Sequence, residues 1–183
     1  GFLELRLGAA HPLGGALEGG LGLGGQLLLG LGGQVKGRAH GTALFGYVAV
    51  SLDDLEQQAS APLRGELSRL LTTPAAGARL YCLVAPSTRL WVDLGAGVVY
   101  DSAEVRVEGL EGEAQRLSSS ALALTGAAGL QYKLRPRVLL SAGYYAALPL
   151  EDDAALAERA LRTRAATAAW GRGRVGVGVA WSF

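Results

Sequence analysis

"RVGVGVAWSF", Arg174 to Phe183, ends the sequence. Val175, Val177, Val179, Trp181 and Phe183 share one parity, and Gly176, Gly178, Ala180 and Ser182 share the other. Chain ends are usually polar and frayed. A strict large/small alternation running to the last ring instead describes an extended strand with one wholly apolar face.

The same alternation runs through much of the chain. Of its 183 residues 50% are hydrophobic, so the apolar content is high for a domain of this length. No continuous stretch reaches the roughly 20 apolar residues of a membrane-crossing helix. The longest uncharged run, Gly19 to Val35, holds eight glycines and alternates with period two. Each interior glycine would cost a helix about 1 kcal/mol. The formal charge of +1 gives no electrostatic case for a nucleic-acid partner. One cysteine, Cys82, forms no internal disulfide. A start at Gly1 without any methionine is expected of an exported chain whose signal peptide has been removed.

Eight segments alternate. Leu3, Leu5 and Leu7 oppose Glu4 and Arg6; Leu21, Leu23, Leu27, Leu29 and Leu31 are in phase from Gly20 to Leu31. From about Val35 to Ser51, Ala39, Ala43, Phe45, Tyr47 and Ala49 oppose Lys36, Arg38, His40 and Thr42. Leu80, Cys82 and Val84 oppose Arg79 and Tyr81; Leu90, Val92, Leu94, Ala96, Val98 and Tyr100 oppose Arg89, Trp91 and Asp93. Leu122, Leu124, Leu130, Tyr132 and Leu134 oppose Thr125, Gln131 and Lys133, and Val138, Leu140, Ala142, Tyr144 and Leu148 align in the seventh segment. The eighth is the terminal segment, with Arg172 and Arg174 on its other face.

Connections between segments alternate in length: short at 32–34, 86–87 and 135–136, long at 10–19, 52–75, 101–117 and 149–167. That order predicts an antiparallel meander with all short turns at one end. In "PLRGELSRLL" Leu63, Leu67, Leu70 and Leu71 fit one helical face, and in "EDDAALAERALRTRAA" acids precede arginines as the helix dipole favours, so both are expected to be short helices. "AEVRVE" alternates within its connection and predicts that strands five and six run past the main sheet.

A soluble barrel and a membrane barrel both have one apolar face. Glycine is depleted in ordinary strands, yet here it fills the less apolar face beside Arg, Tyr and Trp, as the inside of a narrow barrel requires. Several segments reach the roughly 9–11 residues of a tilted membrane strand. Phe2, Tyr100, Tyr132, Trp181 and Phe183 are placed as interfacial girdles. The whole chain resembles the small bacterial outer-membrane β-barrels, the eight-stranded kind that includes the OmpA transmembrane domain, OmpX and OmpW. That resemblance implies an all-β fold. It implies an eight-stranded antiparallel up-and-down transmembrane β-barrel, one domain over 1–183, with short periplasmic turns and long, partly helical extracellular loops. It further implies that Val179, Trp181 and Phe183 are read by the barrel-assembly machinery.

With the leucine-rich parity outward, Glu4, Arg6, Lys36, Arg38, His40, Arg79, Arg89, Asp93, Lys133, Arg172 and Arg174 point inward, eight of them basic and two acidic. Two readings stay open: a plug of Arg–carboxylate pairs balanced by further acids, water or anions, or a basic lumen that admits an anionic ligand or a partner segment. His40 stands two residues before Thr42 with no acid at a matching spacing, which argues for a hydrogen-bonded lumen residue over the Ser–His–acid arrangement of a lipid A deacylase. His11 is expected in a loop. "GLGLGG" lacks the following helix of a dinucleotide site. No metal or cofactor motif is present. Asp53, Asp54, Glu56, Glu104, Glu108, Glu111 and Glu113 make the long connections candidate surfaces for divalent cations, lipopolysaccharide or a protein partner. The function expected is non-enzymatic: a structural or docking component among outer-membrane lipids. The alternative is a narrow pore or binding barrel for small or anionic ligands through an Arg-lined lumen, and a lipid-modifying barrel enzyme comes third.

Overall fold

A computed structural model describes residues 1–13, 21–33, 42–59, 65–107, 115–150 and 171–183. The strands are β1 (Phe2–Leu13), β2 (Gly22–Gly33), β3 (Thr42–Ala59), β4 (Gly65–Ala85), β5 (Thr88–Val107), β6 (Gln115–Arg135), β7 (Val138–Pro149) and β8 (Gly171–Ser182). Each pairs antiparallel with the next, and β8 returns to β1, so the sheet closes. The terminal segment is that seam: Leu3 faces Trp181, Leu5 faces Val179 and Leu7 faces Val177. Following paired residues once around from Phe2 leads back to β1 at Pro12, a stagger of 10 residues. A stagger of that size in a narrow barrel goes with strands tilted by about 35–45°.

The outer wall is a continuous apolar band. Leu5, Leu7, Leu27, Val48, Val50, Leu94, Leu124, Leu130, Leu140, Val175 and Val177 all project outward and are exposed. Glu4, Arg6, Gln26, Asp53, Arg79, Asp93, Arg172 and Arg174 project inward and are buried. This is the reverse of a soluble barrel, and only a hydrocarbon surround makes it stable. Closure then satisfies every ladder N–H and C=O that lipid cannot.

Four strands are much longer than the others. β3, β4, β5 and β6 hold 18, 21, 20 and 21 residues against 12 for each of the rest. They carry the sheet past the apolar band at the long-loop end, as "AEVRVE" predicts for β5.

Several expectations need correction. The first segment runs to Leu13 instead of ending at Leu7, so His11 belongs to a strand and not a loop. In β3 the faces are exchanged: Tyr47 and Ala49 are buried, and Leu44, Val48, Val50 and Leu52 are exposed. Phase there was set by Lys36 to Thr42, which precede or open the strand, whereas the true strand takes its phase from the leucines and valines. The helix expected over 62–71 is strand from Gly65 onward, with Leu70 outward and Leu71 inward at period two. Phe2, expected in a girdle, is 2% exposed inside the barrel. The β2–β3 connection spans 34–41 and not 32–34, and it lies outside the described residues, as does the helix expected in "EDDAALAERALRTRAA".

Candidate functional site: the barrel interior

The interior is built in layers. At the short-turn end Phe2, Phe45 and Tyr81 meet edge to face, with ring centroids 5.5, 5.6 and 5.9 Å apart. Phe2 fits because Gly30 on β2, its cross-strand partner, has no Cβ; one placed there would overlap the ring. Trp91 fits for the same reason, since a Cβ at Gly129 or Gly143 would lie 2.6 Å from its indole. Glycines on the inner face therefore exchange volume with the large rings.

Above the rings sits a charged ring. Arg79 and Asp93 are direct cross-strand partners of β4 and β5. Their contacts are bidentate, Nε–Oδ1 2.5 Å and Nη2–Oδ2 2.6 Å. Glu4 and Arg6, two apart on β1 and so on one face, are bidentate as well, at 2.9 and 2.8 Å. Arg79 Nη1 also reaches the Glu4 carboxylate, and Arg6 Nη1 lies 3.5 Å from Asp93. Two guanidiniums and two carboxylates thus share one neutral network, the condition under which buried charges persist. The Arg6 guanidinium stacks on Trp91 at 3.9 Å, and Arg79 stands 4.8 Å from both Trp91 and Phe2. Glu4 and Arg79 are 0% exposed, so no water-sized space touches either.

Toward the long-loop end a second layer is less balanced. Asp53 serves both Arg172, with Nε–Oδ2 2.6 Å, and Arg174, with Nη1–Oδ1 2.8 Å. The first contact is ionic, lying off the N–H axis, while Arg174 Nη1 donates properly to Asp53 and to Gly25 O. Arg172 Nη2 also donates to Thr73 Oγ1, and Arg174 lies 4.9 Å from the Tyr145 ring. Arg172 Nη1 and Arg174 Nη2 are buried without a hydrogen-bond partner among the described residues. Beside this layer Ala10, Leu55, Leu71, Val99 and Ala123 form an apolar cluster, and beyond it Arg69 Nε donates to Asp101 at 3.1 Å.

Of the residues singled out in the sequence, Arg6, Arg79, Asp93, Arg172 and Arg174 are enclosed. Arg89 is half-buried near the short-turn mouth, stacked on Tyr81 at 4.0 Å and bonded to Gln131 at 2.9 Å. Lys133 is exposed at the rim and not enclosed, because β6 ends two residues later. Arg38 and His40 lie outside the described residues. Three interior charges were placed in loops by the sequence reading: Asp53, Arg69 and Asp101. Continuing the parity of Tyr47 and Ser51 through Asp53 would have found the first of them.

Outside, Trp181 is 43% and Phe183 71% exposed, with Val179 half-buried beside them. His11 also faces outward, its Nε2 3.3 Å from Tyr144 Oη. Among the described residues no group of three His, Cys, Asp or Glu side chains could hold a metal ion.

No family model matches the chain, and no curated protein matches it. Solved structures do. Neisserial surface protein A has a TM-score of 0.56 at 16% identity, covering 100% of this chain and 96% of that one. The attachment invasion locus protein Ail of Yersinia pestis has a TM-score of 0.51 at 16% identity, covering 100% and 99%. Ail in complex with the heparin analogue sucrose octasulfate gives 0.50 at 14% identity, covering 100% and 99%. At such identities the likeness establishes architecture, and it agrees with the inverted hydrophobicity of the wall: the chain has the fold of the small eight-stranded outer-membrane β-barrels.

Proposed function

We propose that the protein is a non-enzymatic, non-conducting barrel of the bacterial outer membrane, a structural or docking component with its short turns in the periplasm. The observation that carries this reading is the neutral Glu4–Arg6–Arg79–Asp93 network, which fills the barrel next to Phe2 and Tyr81 with Glu4 and Arg79 fully buried. Docking would fall to the long-loop end, where β3 to β6 stand clear of the apolar band and present Asp54, Glu56, Ser68, Ser102, Ser118 and Ser120 outward. Val179, Trp181 and Phe183 would carry the contact with the barrel-assembly machinery. Outer-membrane lipid and lipopolysaccharide would cover the apolar wall.

The binding-barrel alternative draws support from one place, the Asp53 layer, where two guanidiniums share one carboxylate. Planar-bilayer recording tests the main reading: purified protein should give no steady conductance. A stable anion-selective current would transfer the assignment to transport. Mass spectrometry of lipid A from expressing cells should show no altered species.

A further inference from the structure

The chain's charge is sorted along the barrel axis. At the short-turn end the described charged side chains outside the sealed network are Arg89, Lys133, Arg135 and Arg137, and none is acidic. The β2–β3 connection at that end adds Lys36 and Arg38 to the sequence, again without an acid. The acids other than Glu4 and Asp93 belong to the long-loop half or its connections. Lys133, Arg135 and Arg137 are exposed and have no ion-pair partner among the described residues.

These cations stand at a definite depth. Leu134, 55% exposed, precedes Arg135 directly, and Tyr132, 53% exposed, precedes Lys133. Val138 pairs with both Arg135 and Trp181, and Arg137 O accepts from Ser182 N at 3.0 Å, beside the exposed Phe183. Lys133 N–H donates to Ser87 O at 2.7 Å, so the neighbouring short turns are tied together. Arg135 therefore lies one residue beyond the leucine edge on the lipid-facing side, whereas Lys133, paired with the buried Leu139, stands at the adjoining rim. The turn is at the level of lipid phosphates.

We infer that the Arg135-Pro136-Arg137 turn, with Lys133, is a docking site for the headgroups of anionic phospholipids in the leaflet at the short-turn end. The inference rests on the membrane-barrel reading, and on the periplasmic leaflet only for its location in the cell. Lipid is favoured over an acidic protein because Arg135 shares the outward side of the sheet with Leu134's neighbourhood of the apolar wall and with Trp181.

The test uses the full chain inserted in symmetric vesicles, where orientation has no influence. Quenching of Trp181 by brominated phosphatidylglycerol is compared with quenching by brominated phosphatidylcholine, in a Trp170→Phe background with Trp91 shielded inside. At low salt phosphatidylglycerol should be preferred by about fivefold or more, the effect of one basic residue at a membrane surface. The preference should fall toward parity in K133Q/R135Q/R137Q and at high salt, and should survive in R135K/R137K. Circular dichroism and retarded heat-dependent mobility confirm insertion of each variant. Equal quenching by the two lipids in the parent, or an undiminished preference in the triple variant, overturns the proposal. Parity between lipids together with salt-sensitive binding of an acidic polypeptide overturns it in favour of a protein partner. Failure here leaves the conductance result untouched, so the two readings fail separately.

Discussion

The lower wall of the barrel and the tall sheet formed by β3 to β6 are made of the same strands, yet their outer faces differ. Along β5, Leu90 and Leu94 are exposed and project outward, opposed by the buried Trp91 and Asp93. Beyond Tyr100 the outward residues are Ser102 and Glu104, while the inward Asp101 is buried against Arg69. β3 makes the same change: Val48, Val50 and Leu52 give way to Asp54 and Glu56, while Leu55 is buried. Backbone and period are unaltered. What changes is the outer solvent, and Tyr100, 52% exposed, stands where an interfacial ring belongs. A barrel that crosses from lipid into water must change its outer face from greasy to polar, and β5 does so within about one residue pair of that ring.

The sharpest way to break the comparison is to remove one buried carboxylate from each region. Glu4→Ala leaves two guanidiniums short of charge where water does not reach, and should cost about 3–5 kcal/mol in denaturant titrations from vesicles. Asp101→Ala uncovers Arg69 above the band, where solvent is nearer, and should cost about 1–3 kcal/mol. Similar losses from both would mean that the two regions share one environment.

Next in size is a charge placed on the outer face. Val177→Arg, in the band, should destabilise by about 2–4 kcal/mol, whereas Ser102→Arg, on the tall sheet, should change stability by less than about 0.5 kcal/mol. A smaller effect comes from filling the inner glycine row. Gly143→Val must displace the Trp91 indole and should cost about 1–3 kcal/mol, with a shift in the tryptophan emission that Gly126→Val, whose Cβ would meet its nearest atom at 3.8 Å, does not produce.

Much of the fold was legible because alternation in a membrane barrel is written twice, in leucines outside and in charges or glycines inside. The terminal segment showed this most clearly: Val175 and Val177 face out, and Gly178 leaves room for the Arg6 side chain. Legibility failed where one copy of the signal lapsed. In β3 Lys36, Arg38 and His40 of the preceding connection imitated an inner face, and Tyr47, which is inward and large, imitated an outer one. In β4, Leu67, Leu70 and Leu71 satisfy helical spacing as well as they satisfy a strand whose outer face is passing from lipid to water. The interior charges were missed for that reason too. Asp53 and Asp101 sit where their outward neighbours become polar, so both read as the beginning of loops. Arg6, Arg79, Arg172 and Arg174 were legible because apolar neighbours flank them. Which carboxylate each would meet was not, since Arg79–Glu4 and Arg174–Asp53 are contacts between strands distant in sequence.

The change of the outer face at Tyr100 is most directly tested by a spin-label scan of β5 from Leu90 to Glu104 in phospholipid vesicles. Labels at Leu90, Val92, Leu94, Ala96 and Val98 should be relaxed by oxygen in the hydrocarbon, labels at Ser102 and Glu104 by a water-soluble nickel chelate, and labels at the odd positions between Trp91 and Val99 by neither. Oxygen access at the odd positions, or nickel access at Leu94, would contradict the account.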